Sequence, residues 1–303
     1  MFRILATIFA GLLGLAFGSF LNVCLSRWPQ GESIVHPRSH CRNCDHQLSW
    51  WENIPLISWL ALHGRCRNCH TKISWRYPLV ELAVGSLWAH EIWLFLPLAL
   101  DPDVPAISPF LHYNVYNSLG LAVGMMIFYW LIVALAAFDA EHLWLPNLLT
   151  YSGIALGGIC TSVYRAVEDH YSDAPSPSAL REGVQTAIAS ALAILAAALL
   201  ILLIRWIYKL IRHREGIGLG DAKLMALLAA WLGLPGALLS FFIGIVLGAL
   251  IGAILLIAPK AKSNPEEWSA TKLPLGTFLC IGGIISALWG QPLIAAYLHW
   301  AGF

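Results

Sequence analysis

Asp139, in Phe138-Asp139-Ala140-Glu141-His142, and Asp221, in Gly218-Leu219-Gly220-Asp221-Ala222-Lys223, each stand where a long uncharged apolar run meets a polar segment. A carboxylate beside lipid is costly to keep, so a functional role is its default reading. Two carboxylates that meet at one membrane face can share a proton, one activating water while the other serves as acid. Gly218 and Gly220 precede the second acid, and glycine permits unusual dihedrals and close backbone approach. An extended substrate strand would find room there. The plainer readings are a helix N-cap for Asp221 and a helix-end charge at the interface for Asp139.

A second set of reactive side chains lies earlier, in Cys41-Arg-Asn-Cys44 and Cys66-Arg-Asn-Cys69, with 21 residues between the pairs. This is the spacing of paired zinc knuckles. Each short turn aims two thiolates at one point, and two turns complete a tetrahedral sulfur site. Arg42, Arg65 and Arg67 favour thiolate over thiol. A disulfide pair or a redox dithiol would use the same residues, but the loop falls on the side of the membrane with reducing conditions. Four thiolates leave no open position, so the metal orders a small domain and performs no hydrolysis. His40, His46 and His70 read as bystanders, and Cys24, Cys160 and Cys280 as small apolar residues.

The elements that must position these groups are membrane helices. The 303 residues are 58% hydrophobic and 12% charged, with mean hydropathy +0.69. A soluble domain carries about 25% charged residues. Spans of roughly 20 apolar residues fall at about 4–23, 79–98, 119–138, 146–164, 184–204, 221–234, 237–258 and 274–297. The sixth is short, either a stub or half of a tight hairpin with the seventh. The first is longer than a signal-peptide core and reads as a retained helix. The expected fold is therefore an all-α polytopic membrane protein of about eight transmembrane helices. A small cytoplasmic four-cysteine zinc-binding domain sits between helices 1 and 2. The corresponding division is 1–23 for the first helix, 24–78 for the zinc domain and 79–303 for the membrane domain with both aspartates.

Lysine and arginine set the orientation. The loops at 24–78, 205–223 and 259–273 hold all of them except Arg3, Arg165 and Arg181. Those loops, with Asp139 and Asp221, face the cytoplasm, and both termini face outward. The Pro-, Asp- and Ser-rich stretches 99–118 and 165–183 are then extracytoplasmic connectors. Net charge of +1 gives no footprint for nucleic acid, so the expected partners are lipid and substrate. The tryptophans at 50, 51, 144 and 300 suit interfacial belts. The Ala/Gly-rich stretches 187–198 and 244–253 suit close helix packing.

Seven ordered motifs resemble the prepilin peptidases, the type IV leader peptidase family, along nearly the whole chain. They are Gly18-Ser-Phe-Leu-Asn-Val23, Arg27-Trp-Pro29, the cysteine segment with Trp51-Glu-Asn-Ile-Pro55, and Arg76-Tyr-Pro-Leu-Val-Glu81. Asp139 follows, with Leu145-Pro146 and Leu149-Thr150, then Gly218-x-Gly-Asp221-Ala-Lys223 and Leu273-Pro-Leu-Gly-Thr-Phe278. Two positions depart from the pattern: Asn147, where many members have Asp, and Ala222, where Val is frequent. The resemblance implies an intramembrane-type aspartic endopeptidase with Asp139 and Asp221 as its catalytic pair. It implies removal of the basic leader of type IV prepilins and type II secretion pseudopilins, after a leader glycine, at the cytoplasmic face of the bacterial inner membrane. Members with the four-cysteine domain commonly also methylate the new N-terminus with S-adenosylmethionine. No glycine-rich nucleotide fingerprint marks that donor's site.

Several neighbours invite a role. Lys223 could tune Asp221 or meet lipid phosphate, and Glu81 could act in the cytoplasmic half of the second span. Glu141 and His142 read as interfacial, and His90 with Glu91 as a satisfied intramembrane pair. Two readings from other classes remain open from residues alone. A proton- or cation-coupled transporter would use the intramembrane acids but lacks the internal repeat such proteins often show. A zinc-knuckle scaffold for secretion proteins would need neither aspartate.

Overall fold

A computed structural model describes residues 1–100, 115–170, 179–213, 218–257 and 273–302. The connectors expected around 99–118 and 165–183 fall largely outside the described residues, as do Arg214, Lys260, Lys262 and Lys272. The described chain is helical, as its apolar runs dictate. Its helices are α1 (Phe2–Arg27), α2 (Ile57–Ala61), α3 (Arg76–Leu100), α4 (Val115–His142), α5 (Asn147–His170), α6 (Ala179–Arg212), α7 (Leu219–Ile257) and α8 (Leu275–Ala301). Two 3-10 turns, Trp28–Gln30 and Trp50–Asn53, punctuate the segment before α2.

Six helices are long and apolar enough to cross a bilayer: α1, α3, α4, α6, α7 and α8. Eight were expected, and two causes explain the difference. The sixth and seventh expected spans form one 39-residue helix, broken only at Gly233, where φ is 69° and ψ is 175°. That left-handed φ suits glycine, and Pro235 restarts the helix two residues later. α5, interrupted by Asn147, Thr150, Ser152 and Thr161, is less apolar than the rest.

The chain divides into two compact units, Met1–Ala137 and Phe138–Phe303. In the first, α1 packs along α3, and small residues set the separation. A Cβ on Gly18 would lie 2.7 Å from Glu81 Cα, so only glycine permits this approach. Trp88 Nε1 donates to Met126 O at 2.8 Å and ties α4 to the pair. Glu91 is buried and takes the Tyr129 hydroxyl. This corrects the expected pairing with His90, whose Nδ1 has no hydrogen-bond partner.

In the second unit α7 packs against α5, α6 and α8. The Trp231 indole donates to Gly153 O at 2.9 Å, and Thr161 Oγ1 to Ala230 O at 3.2 Å. These bonds satisfy polar groups that lipid cannot. Within the glycine-rich stretch 244–253, Gly244 lies against Leu279 and Gly248 against Phe278.

Candidate active site and metal centre

Asp139 closes the last turn of α4, and Asp221 opens the first turn of α7. Both are buried, at 7% and 8% exposure. Asp139 Oδ2 accepts the Thr277 backbone N–H at 2.7 Å and the Thr277 hydroxyl at 3.2 Å. That N–H belongs to the first turn of α8, where backbone donors have no acceptor within the helix and the positive end of the peptide dipoles also lies. Asp221 Oδ2 accepts the Gly218 N–H at 3.1 Å, just ahead of α7. Each carboxylate thus meets a backbone donor at a helix N-terminus, which offsets part of the cost of leaving water. Both carboxylates belong to the same compact unit, Phe138–Phe303.

Gly276 decides how near α8 can come. A Cβ there would stand 2.8 Å from Asp139 Cγ and Oδ2. Gly218 and Gly220 act differently from expectation, since neither adopts a left-handed φ. Gly218 supplies its N–H, and Gly220 leaves space for Leu145, whose Cδ1 would be 3.1 Å from a Cβ. Lys223 donates to Asn147 Oδ1 and lies over the Tyr151 ring at 5.5 Å. It therefore ties α7 to α5. Glu141 and His142 form a half-exposed pair at 3.8 Å. Sequence reasoning missed Gly276 and Thr277 as site residues. Their motif, Leu273–Phe278, was visible, but nothing in its composition announced a carboxylate partner.

The four cysteines converge in the first unit, with all four Sγ atoms within 4.8 Å of one another. Cys41 and Cys69 sulfurs are 3.7 Å apart, and Cys44 and Cys66 sulfurs 3.9 Å. A tetrahedron with Zn–S bonds of about 2.3 Å has edges of about 3.8 Å, so the donor set fits zinc. Disulfide-bonded sulfurs would be about 2.05 Å apart. The two knuckles repeat one backbone pattern: Cys41 N–H to His46 O at 2.9 Å, and Cys66 N–H to Thr71 O at 2.9 Å. Asn43 Nδ2 reaches Cys69 Sγ, and Asn68 Nδ2 reaches Cys44 Sγ, both at 3.6 Å. Such outer contacts orient metal-binding thiolates. The Thr71 hydroxyl and N–H, with Asn43, hold the Cys69 thiol down at about 5. Burial pushes Cys41 up to about 11. None of the three nearby histidines joins the sulfur cluster. His46 Nε2 instead lies 3.5 Å from Glu52 Oε2.

Glu81 lies at the start of α3, buried, where its Oε2 accepts the Leu56 N–H at 2.9 Å. It anchors the segment after Trp51-Glu-Asn-Ile-Pro55 to the membrane helix.

Residues 12–95 match the bacterial peptidase A24 N-terminal domain, and residues 126–253 match the type IV leader peptidase family. A prepilin leader peptidase/N-methyltransferase of Stutzerimonas stutzeri is 33% identical, across 96% of this chain and 93% of that protein. The chain belongs to the type IV leader peptidase family. A namesake of Pseudomonas aeruginosa is 31% identical over the same shares. One of Burkholderia pseudomallei is 33% identical over 94% of this chain and 85% of its own length. No solved structure matches. The family and the six apolar helices make this a multi-pass membrane protein.

Proposed function

We propose that this protein is a prepilin leader peptidase and N-methyltransferase of the bacterial inner membrane, with Asp139 and Asp221 as an aspartic dyad. The observation that carries the peptidase half is the pairing of these acids. They come from helices 82 positions apart in the sequence, and both are buried in the same compact unit, each with a backbone donor at a helix N-terminus. One aspartate, ionised, takes a proton from water. The other, protonated, polarises the scissile carbonyl and then gives its proton to the leaving nitrogen. Two such neighbours titrate as a coupled pair.

The substrates are type IV prepilins and type II secretion pseudopilins. Their basic leader stays in the cytoplasm and their following apolar helix in lipid, so entry is lateral. Both aspartates face the cytoplasm and both termini lie outside. The cysteines at 41, 44, 66 and 69 hold a structural zinc that orders the domain at 24–78, between the first helix and the membrane domain at 79–303. When bound, S-adenosylmethionine supplies an electrophilic methyl group for the amine that cleavage exposes.

The test is cleavage of a prepilin by membranes containing wild type, Asp139→Asn or Asp221→Asn. Each substitution keeps size and polarity but removes the carboxylate, so each should abolish cleavage with insertion intact. Turnover by either variant at the wild-type rate would remove that residue from the mechanism.

A further inference from the structure

α2 is only five residues long and belongs to the four-cysteine domain, not to a membrane span. Two of its residues, Ile57 and Leu60, are 63% and 66% exposed. They stand three positions apart and so share one face of the helix. Single exposed apolar side chains are ordinary on a protein surface. What distinguishes this pair is where the fold holds it.

The Leu56 N–H, just ahead of α2, donates to Glu81 Oε2 at 2.9 Å. Glu81 is the sixth residue of α3, about 7 Å along the helix from the first. Residues Arg76–Leu96 of α3 are long and apolar enough to cross the bilayer. The start of α2 is therefore held level with the second turn of a membrane span. Trp59 of α2 places its ring 4.2 Å from that of Trp75, and its indole donates to Ile73 O at 3.4 Å. Trp75 is itself 67% exposed. Leu79, whose N–H bonds Trp75 O, and then Leu82 continue the exposed strip along α3. The apolar side that α3 offers to lipid thus runs through Trp75 onto α2.

The backbone is bent to keep this arrangement. Leu56 has φ 59° and ψ −49°, and the Ile57 N–H reaches across it to Pro55 O at 2.6 Å. Such a three-residue turn is strained and uncommon for a bulky side chain. It sets the direction in which α2 leaves Glu81. Charge agrees with the apolar pattern. Between Glu52 and Glu81 the chain has no acidic residue and four basic ones, Arg65, Arg67, Lys72 and Arg76. Arg65 comes four residues after α2, is exposed, and pairs across a β-bridge with the exposed Lys72. Lysine and arginine beside a bilayer attract anionic headgroups.

We propose that α2 is an interfacial helix that docks on an anionic lipid surface. Ile57, Leu60 and Trp75 sit among the headgroups, and Arg65 and Lys72 meet their phosphates. The four-cysteine domain thereby rides on the bilayer instead of hanging free in solvent. This seat requires only that α3 spans the membrane, whatever chemistry the two aspartates perform.

The test is photocrosslinking of the purified full-length protein in nanodiscs. A benzophenone-bearing phenylalanine replaces Ile57, Leu60 or, as a reference within the span, Leu82. The nanodiscs hold equal amounts of phosphatidylglycerol and phosphatidylcholine, with one or the other radiolabelled. Positions 57 and 60 should take label from phosphatidylglycerol about as well as position 82, and at least threefold better than from phosphatidylcholine. Labelling at both positions under a tenth of that at 82 would overturn the proposal. Equal uptake from the two lipids would overturn the choice of an anionic surface. Adducts with added prepilin in place of lipid would assign the face to a protein partner instead. Hydrogen exchange on the wild type needs no substitution. Amides 57–62 should exchange at least threefold more slowly in phosphatidylglycerol nanodiscs than in phosphatidylcholine ones, and equal rates would refute the seat.

Discussion

Replacing Gly276 with alanine tests the geometry of the proposed dyad at its tightest point. An ideal Cβ there falls 2.8 Å from Asp139 Cγ and Oδ2, and 3.1 Å from Oδ1. Contacts under 3.0 Å do not persist, so the carboxylate or the start of α8 must shift. Either movement breaks the 2.7 Å bond from the Thr277 N–H. A hydrogen bond to a charged group contributes about 1.5–3 kcal/mol. At about 1.4 kcal/mol per decade of rate, losing it predicts a roughly 10- to 150-fold fall in kcat/KM. Overpacking adds about 1–3 kcal/mol of destabilisation, visible as earlier thermal unfolding. The assay is prepilin cleavage in membranes at matched expression. Thr277→Ser keeps both donors and should cleave like wild type. Thr277→Val deletes only the longer hydroxyl contact at 3.2 Å and should lose less than Gly276→Ala. Wild-type cleavage by Gly276→Ala would mean that α8 does not hold Asp139 in the reactive state, and the reasoning would fail.

Other consequences are independent of that position. Purified protein should carry about one zinc per chain, and replacing Cys41 and Cys66 together with serine should remove it and destabilise the knuckle domain. Unchanged zinc after all four thiols are replaced would rule the cluster out. Glu52 offers a pH signature. Burial pushes its carboxyl up, but hydrogen bonds from Ser49 and His46 outweigh this and hold it below the usual 4.5. A depressed carboxyl stabilises the fold above its unfolded pKa and loses that contribution as pH falls through the folded one. The gap in thermal stability between wild type and Glu52→Gln should therefore be full at neutral pH and close below 4.5; a gap that widens in acid contradicts the assignment. Asn147→Asp would turn the contact with Lys223 into an ion pair near the surface. Its effect on stability should stay under about 1 kcal/mol, and a large change in cleavage would show that Lys223 acts on the chemistry.

Much of this was legible because membranes restrict the alternatives. With no water to satisfy a backbone, a long apolar run such as 184–204 has to be helix, and the structure runs α6 from Ala179 to Arg212. The cysteine spacing encoded a local geometry of two repeated turns, and the sulfurs converge as such turns dictate. Less legible were features that depend on which helices become neighbours. Nothing in Leu273–Phe278 says that its backbone will meet Asp139, because a helix N-terminus looks alike whether it faces lipid or a carboxylate. The contact that Lys223 makes was not legible either: closeness in sequence to Asp221 suggested that partner, whereas a side chain two positions on leaves the helix in a different direction and meets Asn147. The glycines before Asp221 suggested special dihedrals, and what they supply is an N–H and lateral space.

The two aspartates share a construction that would let acids stand at the edge of lipid, where the proposed function puts them. A lone carboxylate there would either recruit a counter-ion or neutralise itself. Here each meets a backbone amide at a helix start, Thr277 for Asp139 and Gly218 for Asp221. These donors are bare in any helix, so the compensation needs no lysine or arginine. A cation in their place would form a fixed ion pair and hold one proton state. In the proposed dyad, amides would leave the pair free to exchange a proton between its members, as general acid–base hydrolysis requires. The argument predicts an asymmetry. Thr277→Arg, which brings a permanent charge beside Asp139, should suppress cleavage more strongly than Thr277→Leu, although both lose the hydroxyl and both add bulk. Measured in the same membranes, equal loss for the two would show that bulk alone matters there and that the proton-sharing account of the pair is mistaken.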